Sequence, residues 1–186
     1  MNRDKKLYRK LIESYKRELR KGEWDMKKKV FAILLVLWMG FIFSMSSQNS
    51  TVSSNTSGGT IRMIMSMVPK FDEQSEEVQD EIVESLQYIT RKSAHFIGYM
   101  ILGILAILLF LQYENIKYKG WSAFLLSVLY AISDEIHQLF VPGRAGQVKD
   151  VLIDSCGAAL GIVIVILVCK AIDIYRAKVN KDKLTK

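Results

Sequence analysis

The sequence predicts an all-α integral membrane protein, a four-transmembrane-helix bundle with an amphipathic N-terminal helix and an amphipathic extracytoplasmic helix. Three observations carry that prediction. First, half of the 186 residues are apolar although 24% are charged, and the two kinds are kept apart. Blocks 30–45, 96–111, 121–133 and 155–169 are almost free of charge; with their flanks each reaches about 18–20 residues, the length that crosses a bilayer as a helix. Second, the basic residues are unevenly shared between the intervening segments, as membrane topology requires. Third, two prolines and eleven glycines argue against collagen-like or low-complexity disorder, and no internal repeat is evident. A soluble globular reading fails on the first observation.

Residues 1–27 form a basic amphipathic cytoplasmic tail in this reading. Leu7, Tyr8, Leu11, Ile12, Tyr15 and Leu19 recur at a spacing of three to four among charged residues, which suggests a helix on the inner membrane surface; a solvated tail is the alternative. The membrane domain spans 28–172, with helices expected at 28–47, 92–111, 120–140 and 150–170. The first apolar block also resembles a signal-peptide core, with Ser44 to Ser46 as small residues at a cleavage point. A retained helix is preferred because the basic segment before it is long for a signal peptide. The extracytoplasmic connection, 46–90, begins rich in Ser, Thr, Asn and Gly as an exposed link. Pro69 ends a Met-rich stretch, and Asp72 to Tyr88 then holds seven acidic residues. Val78, Ile82, Leu86 and Ile89 share one helical face there, so an amphipathic helix lying flat on the outer surface is expected, with a plain acidic linker as the alternative. Residues 173–186 form a second basic cytoplasmic tail.

Charge sets the orientation. With both termini and the 112–120 turn in the cytoplasm, twenty of the 26 Lys and Arg residues lie inside and six outside, as the positive-inside bias predicts. The formal net charge of +7 is then a topology signal together with attraction to anionic lipid, and no nucleic-acid partner is expected. Cys156 and Cys169 fall on one predicted helix about 20 Å apart, beyond disulfide reach.

This topology gathers the polar residues at the outer membrane face. Arg91, Lys92, His95 and Tyr99 open the second span; Asp134, Glu135, His137 and Gln138 close the third; Arg144 lies in the turn 141–147; Asp150 and Asp154 open the fourth. Each set continues along its helix as a stripe: Arg91, His95, Gly98 and Leu102; Ser127, Tyr130, Asp134 and Gln138; Asp150, Asp154, Gly157 and Gly161. Gly157 and Gly161 make a GxxxG pattern below Asp154, so the carboxylates should face a neighbouring helix rather than lipid. Ionisable groups in a bilayer are costly unless paired, and Arg91 and Arg144 are the expected partners of Asp134, Asp150 and Asp154. The competing interpretation makes the cations snorkelling anchors and the acids their structural counter-ions.

No HExxH or comparable ligand spacing supports a metal, no motif calls for a cofactor, and Ser93 beside His95 is no nucleophile signature. Acid/base catalysis by His95 or His137, oriented by Asp134 or Glu135, remains chemically consistent.

Residues Arg91-Lys92-Ser93-Ala94-His95-Phe96 with Tyr99, the run from Ser133 to Gly161, and the exit of the first span from Phe43 to Gln48 resemble the VanZ-like family of small bacterial membrane proteins. The resemblance covers about 30–169 and leaves out the first 25 residues and the length of the acidic connection. Asp154 stands where the family pattern often has Asn. The resemblance implies a multi-pass protein of the bacterial cell membrane, associated with resistance to teicoplanin-type lipoglycopeptides, with no assigned reaction.

Two functions follow as expectations. In the first, the outer polar pocket of a non-enzymatic envelope protein binds an anionic or amphiphilic ligand: a membrane lipid head group, a lipid-linked cell-wall precursor, or a lipoglycopeptide. Arg91, Lys92 and Arg144 supply charge-assisted hydrogen bonds. In the second, a membrane enzyme acts on a phosphate or glycan head group through His95 or His137.

Overall fold

The computed structural model describes residues 3–47, 50–144 and 146–184. Five helices follow one another: α1 (Arg3–Ser46), α2 (Ser50–Met65), α3 (Glu76–Leu111), α4 (Lys119–Gln138) and α5 (Val148–Leu184), with no strand among the described residues. Segments 22–46, 76–111 and 148–182, within α1, α3 and α5, are long and apolar enough to cross a membrane. This is a multi-pass, all-helical membrane protein. Helix α4 falls outside that set because its 20 residues include Lys119, Asp134, Glu135 and His137.

The helices ignore the breaks that composition suggested. Arg3–Ser46 is one 44-residue helix, because nothing between the basic segment and the apolar block stops a helix except Gly22, which is tolerated at about 1 kcal/mol. The side chains of Leu7, Tyr8, Leu11, Ile12 and Tyr15 lie outside the described residues, as do Gln48 and Ala145. The polar segment after Ser46, expected as an exposed link, is helical from Ser50 and packs on α3. The expected flat surface helix is corrected as well. Residues 76–111 form a single helix, about 54 Å long at 1.5 Å per residue, so the acidic stretch is the first half of the second span's own helix. Val83 is its buried residue; Ile82 and Leu86 are half-buried, while Val78 and Ile89 are exposed.

The α3–α5 interface is the most extensive in the bundle. A Cβ at Gly157 would strike the Phe96 carbonyl, one at Gly161 the Met100 carbonyl, and one at Gly103 the Ala158 carbonyl. The GxxxG pattern therefore does what its spacing predicts, letting two backbones touch. The pairs Lys92–Asp150, Phe96–Gly157 and Met100–Gly161 advance together in sequence, so α3 and α5 run parallel. Helix α1 runs antiparallel to α3: Trp38 Nε1 donates to the Gly98 carbonyl at 2.9 Å, and Lys28 Nζ lies 5.4 Å over the Tyr113 ring. Helix α4 packs on both α3 and α5, with Ala123, Ser127, Ala131, Asp134, Glu135 and Gln138 buried. The core is Leu35, Ile42, Tyr99, Leu102, Ala106, Ile107 and Ile162 with their neighbours.

Candidate functional site

With these directions, the end of α1, the middle of α3, the end of α4 and the start of α5 meet at one end of the bundle. Each helix contributes polar side chains there. Ser46 and Ser47, at the last turn of α1, reach α4: Ser46 Oγ donates to Asp134 Oδ2 at 2.7 Å, both residues being buried. Ser47 Oγ donates to the Phe43 carbonyl at 2.7 Å, so the His137 Nε2 at 3.0 Å is the donor to Ser47. The His137 ring also stacks on Phe43 with centroids 4.3 Å apart. Gln138 Nε2 donates to Asp134 Oδ2 at 3.2 Å and Glu135 Oε1 at 3.3 Å. Glu135 Oε2 accepts from the Gln147 backbone N–H at 2.8 Å, which ties the α4–α5 turn back onto α4.

On the α3–α5 side, Lys92 pairs with Asp150 and lies 5.2 Å over the Tyr88 ring. His95 Nδ1 stands 3.9 Å from Asp154 Oδ1. Asp154 is wholly inaccessible, and neither of its oxygens has a hydrogen-bond partner among the described residues; the same holds for the Tyr99 hydroxyl and Asp134 Oδ1. Such atoms each leave a desolvation cost of about 1–3 kcal/mol unmet. They form a polar interior beneath the basic rim. Among the described residues no three His, Cys, Asp or Glu side chains converge to ligate a metal.

Two cavities open at this end. One, of about 290 Å³, is a mostly apolar cleft between α1 and α3, lined by residues that include Phe41, Ile42, Met45, Ala94, Gly98 and Tyr99. The other, about 190 Å³, is polar, with Tyr88, Lys92, Gln138, Gln147 and Asp150 in its wall. Arg91, His95 and Arg144 line both. Arg144 is half-buried in the turn, and burial first, the Arg91 charge second, hold its pKa below the usual arginine value. It also reaches the Met45 carbonyl at 3.5 Å.

The expected arginine–aspartate pairs are corrected by this geometry. Asp150 pairs with Lys92, Asp134 with Ser46 and Gln138, and Asp154 has no hydrogen-bond partner among the described residues, with His95 Nδ1 3.9 Å away. Arg91 and Arg144 line both cavities.

The family described as VanZ/LLP1 matches over residues 31–169, well over half of the chain. The chain belongs to the VanZ/LLP1 family. No curated protein and no solved structure matches it. The matched segment of this VanZ-like chain takes in both cavities and their rim. It also includes residues that the pattern of charges did not single out. Ser46 and Ser47 sit in the Phe43–Gln48 exit, which carried the family resemblance but no charge, and Gln147 contributes only backbone. Tyr130, in the predicted stripe, donates to the Met39 carbonyl at 2.5 Å and so fastens α4 to α1.

Proposed function

We propose that this VanZ-like protein crosses the membrane four times with both termini cytoplasmic, and that its extracytoplasmic end binds an anionic amphiphile of the cell envelope. Helix α4, third in chain order, completes the four spans in this reading. Its exposed residues Trp121, Leu125, Leu129, Ile132 and Ile136 make a lipid-facing stripe, while its charged residues near the site face the bundle. The membrane domain is 28–172, with basic tails on either side. The observation that carries the function is the sharing of Arg91, His95 and Arg144 by an apolar cleft and a polar pocket. An amphiphile needs both environments joined, with cations at the junction. Acyl-bearing lipoglycopeptides fall in the same chemical class, so a contribution to teicoplanin tolerance is part of the proposal.

The test uses the full chain in phosphatidylcholine nanodiscs, offered anionic and zwitterionic amphiphiles of equal chain length. Preferential binding of the anionic one is expected, weakened about tenfold or more by Arg91→Gln or Arg144→Gln, since a charge-assisted hydrogen bond contributes about 1.5–3 kcal/mol. Equal binding of both, indifferent to the arginines, contradicts the reading.

The enzymatic alternative rests on His95, which lines both cavities and has Asp154 3.9 Å from its Nδ1. His137, stacked on Phe43 and bonded to Ser47, lines neither cavity and suits packing. A head-group conversion by the parent chain that His95→Gln abolishes supports the second reading; no conversion by the parent chain supports the first.

A further inference from the structure

We infer that the outward face of α2 is a docking surface for a cationic amphipathic segment of a partner protein. Met63, Ile64, Met67 and Val68 take the apolar side of that segment, and the acidic start of α3 takes its charges. The inference is independent of the two cavities and of the amphiphile proposed for them.

The length of α3 places this face in water. The helix is continuous from Glu76, so residues 76–91 rise about 24 Å past the span that starts at Lys92, at 1.5 Å per residue. Arg62 of α2 pairs with Asp80, and Gly58 lies against Gln87 and Val83, so α2 runs antiparallel to this extension and forms a hairpin with it. Asp80 is about 18 Å along the helix from Lys92, well beyond the roughly 6 Å that head groups add on each side of the hydrocarbon core. Residues 63–68 continue outward from that level. Gly58 and Arg62 are the side of α2 that meets α3; at 100° per residue Met63, Ile64, Met67 and Val68 fall on the opposite side. The helical path continues past Met65, with the Ser66 N–H donating to the Arg62 carbonyl and the Val68 N–H to the Met65 carbonyl, both at 2.9 Å. These four side chains are 44–73% exposed. A contiguous apolar face of this kind in water marks an interaction site, and methionine, flexible and polarizable, suits a surface that adapts to a bound helix.

Charge selects the occupant. Residues 58–90 hold seven acidic and two basic residues, a net charge of −5. All seven acids are exposed, and among the described residues only Asp80 has a cationic partner. Two successive turns keep Asp72 and Glu73 close to Val68: the Phe71 N–H donates to the Val68 carbonyl at 3.2 Å, and the Gln74 N–H to the Phe71 carbonyl at 3.1 Å. Glu76 and Glu77 then open α3. A second copy of this chain brings the same negative charge to the contact, and an anionic lipid surface is repelled in the same way. A helix with an apolar row beside a row of Lys or Arg matches both features at once.

The experiment uses the full chain in phosphatidylcholine nanodiscs, with empty discs as background, and three fluorescent peptides of about 18 residues, five helical turns. One is an amphipathic Leu/Lys helix, one the same peptide scrambled, and one an amphipathic Leu/Glu helix. In fluorescence anisotropy the Leu/Lys helix is expected to bind chain-bearing discs about tenfold or more tighter than empty discs, and tighter than either other peptide binds. Replacing Met63→Ser and Met67→Ser together should weaken this binding about tenfold. Glu76→Gln with Glu77→Gln should weaken it in about 0.05 M salt but not in about 0.5 M, where exposed charges are screened. All four positions are exposed, so both variants should elute like the parent in size-exclusion chromatography. Binding no tighter than to empty discs, or binding that survives the loss of both methionines, overturns the docking surface. Equal binding of the Leu/Glu helix overturns the charge assignment. Rapid disulfide dimerisation of Met67→Cys, in a Cys156→Ser, Cys169→Ser background, would give the face to a second copy and overturn the partner assignment.

Discussion

Asp154 is sealed from solvent with neither oxygen hydrogen-bonded among the described residues, and an isolated ionised carboxylate is among the most costly groups to bury. An amide of the same shape carries no such charge. Asp154→Asn is therefore expected to fold with an unfolding midpoint in detergent equal to or above that of the parent; a large drop would show that the charge holds the bundle together. Ser46→Ala should act in the opposite direction. It removes the 2.7 Å bond to Asp134 and leaves that buried carboxylate with Gln138 alone, a loss of about 1–3 kcal/mol measurable as a lower midpoint. Lys149→Ala, at an exposed position, should stay within about 0.5 kcal/mol. Every acid and base of the site was legible in the sequence from helical spacing and topology. Their partners were not, because spacing fixes which face a side chain occupies and not how far a neighbouring helix is shifted along it. Arg91 and Lys92 lie about 100° apart around α3, so a rotation of the helix decides which of them meets Asp150, and hydroxyls such as Ser46 give no charge signal at all.

At the scale of helices, the closest packing in the bundle rests on α3 and α5, where backbone meets backbone. Overpacking costs about 1–3 kcal/mol when side chains can yield, but a Cβ at Gly157 or Gly161 meets a carbonyl. Gly161→Val should therefore separate the helices and abolish monodisperse protein in size-exclusion chromatography. Gly40→Ala is the contrasting case, since nothing lies within 4 Å of the added atom; a helix gains about 0.5–1 kcal/mol from that change, read as a raised midpoint. The glycine interface was legible because GxxxG sits on the same face as Asp154. The helix ends were less so. Changes of composition at Ser46 and Thr90 suggested boundaries, yet in 76–111 no proline intervenes and the first glycine is Gly98. The backbone therefore continues unbroken from the acidic stretch into the apolar one.

For the whole molecule, the alternation of helix directions brings four polar segments to one end, and the functional proposal depends on that end facing the exterior. The distribution of basic residues predicts this orientation. Thiol labelling with a membrane-impermeant maleimide tests it most directly, in intact cells and in a Cys156→Ser, Cys169→Ser background, with single cysteines introduced as Lys149→Cys and Tyr118→Cys. Both positions are exposed and belong to opposite ends of the bundle. The account predicts that position 149 is labelled in intact cells and position 118 only after the membrane is permeabilised; labelling of 118 in intact cells with 149 protected would place the basic junction in the cytoplasm and contradict it.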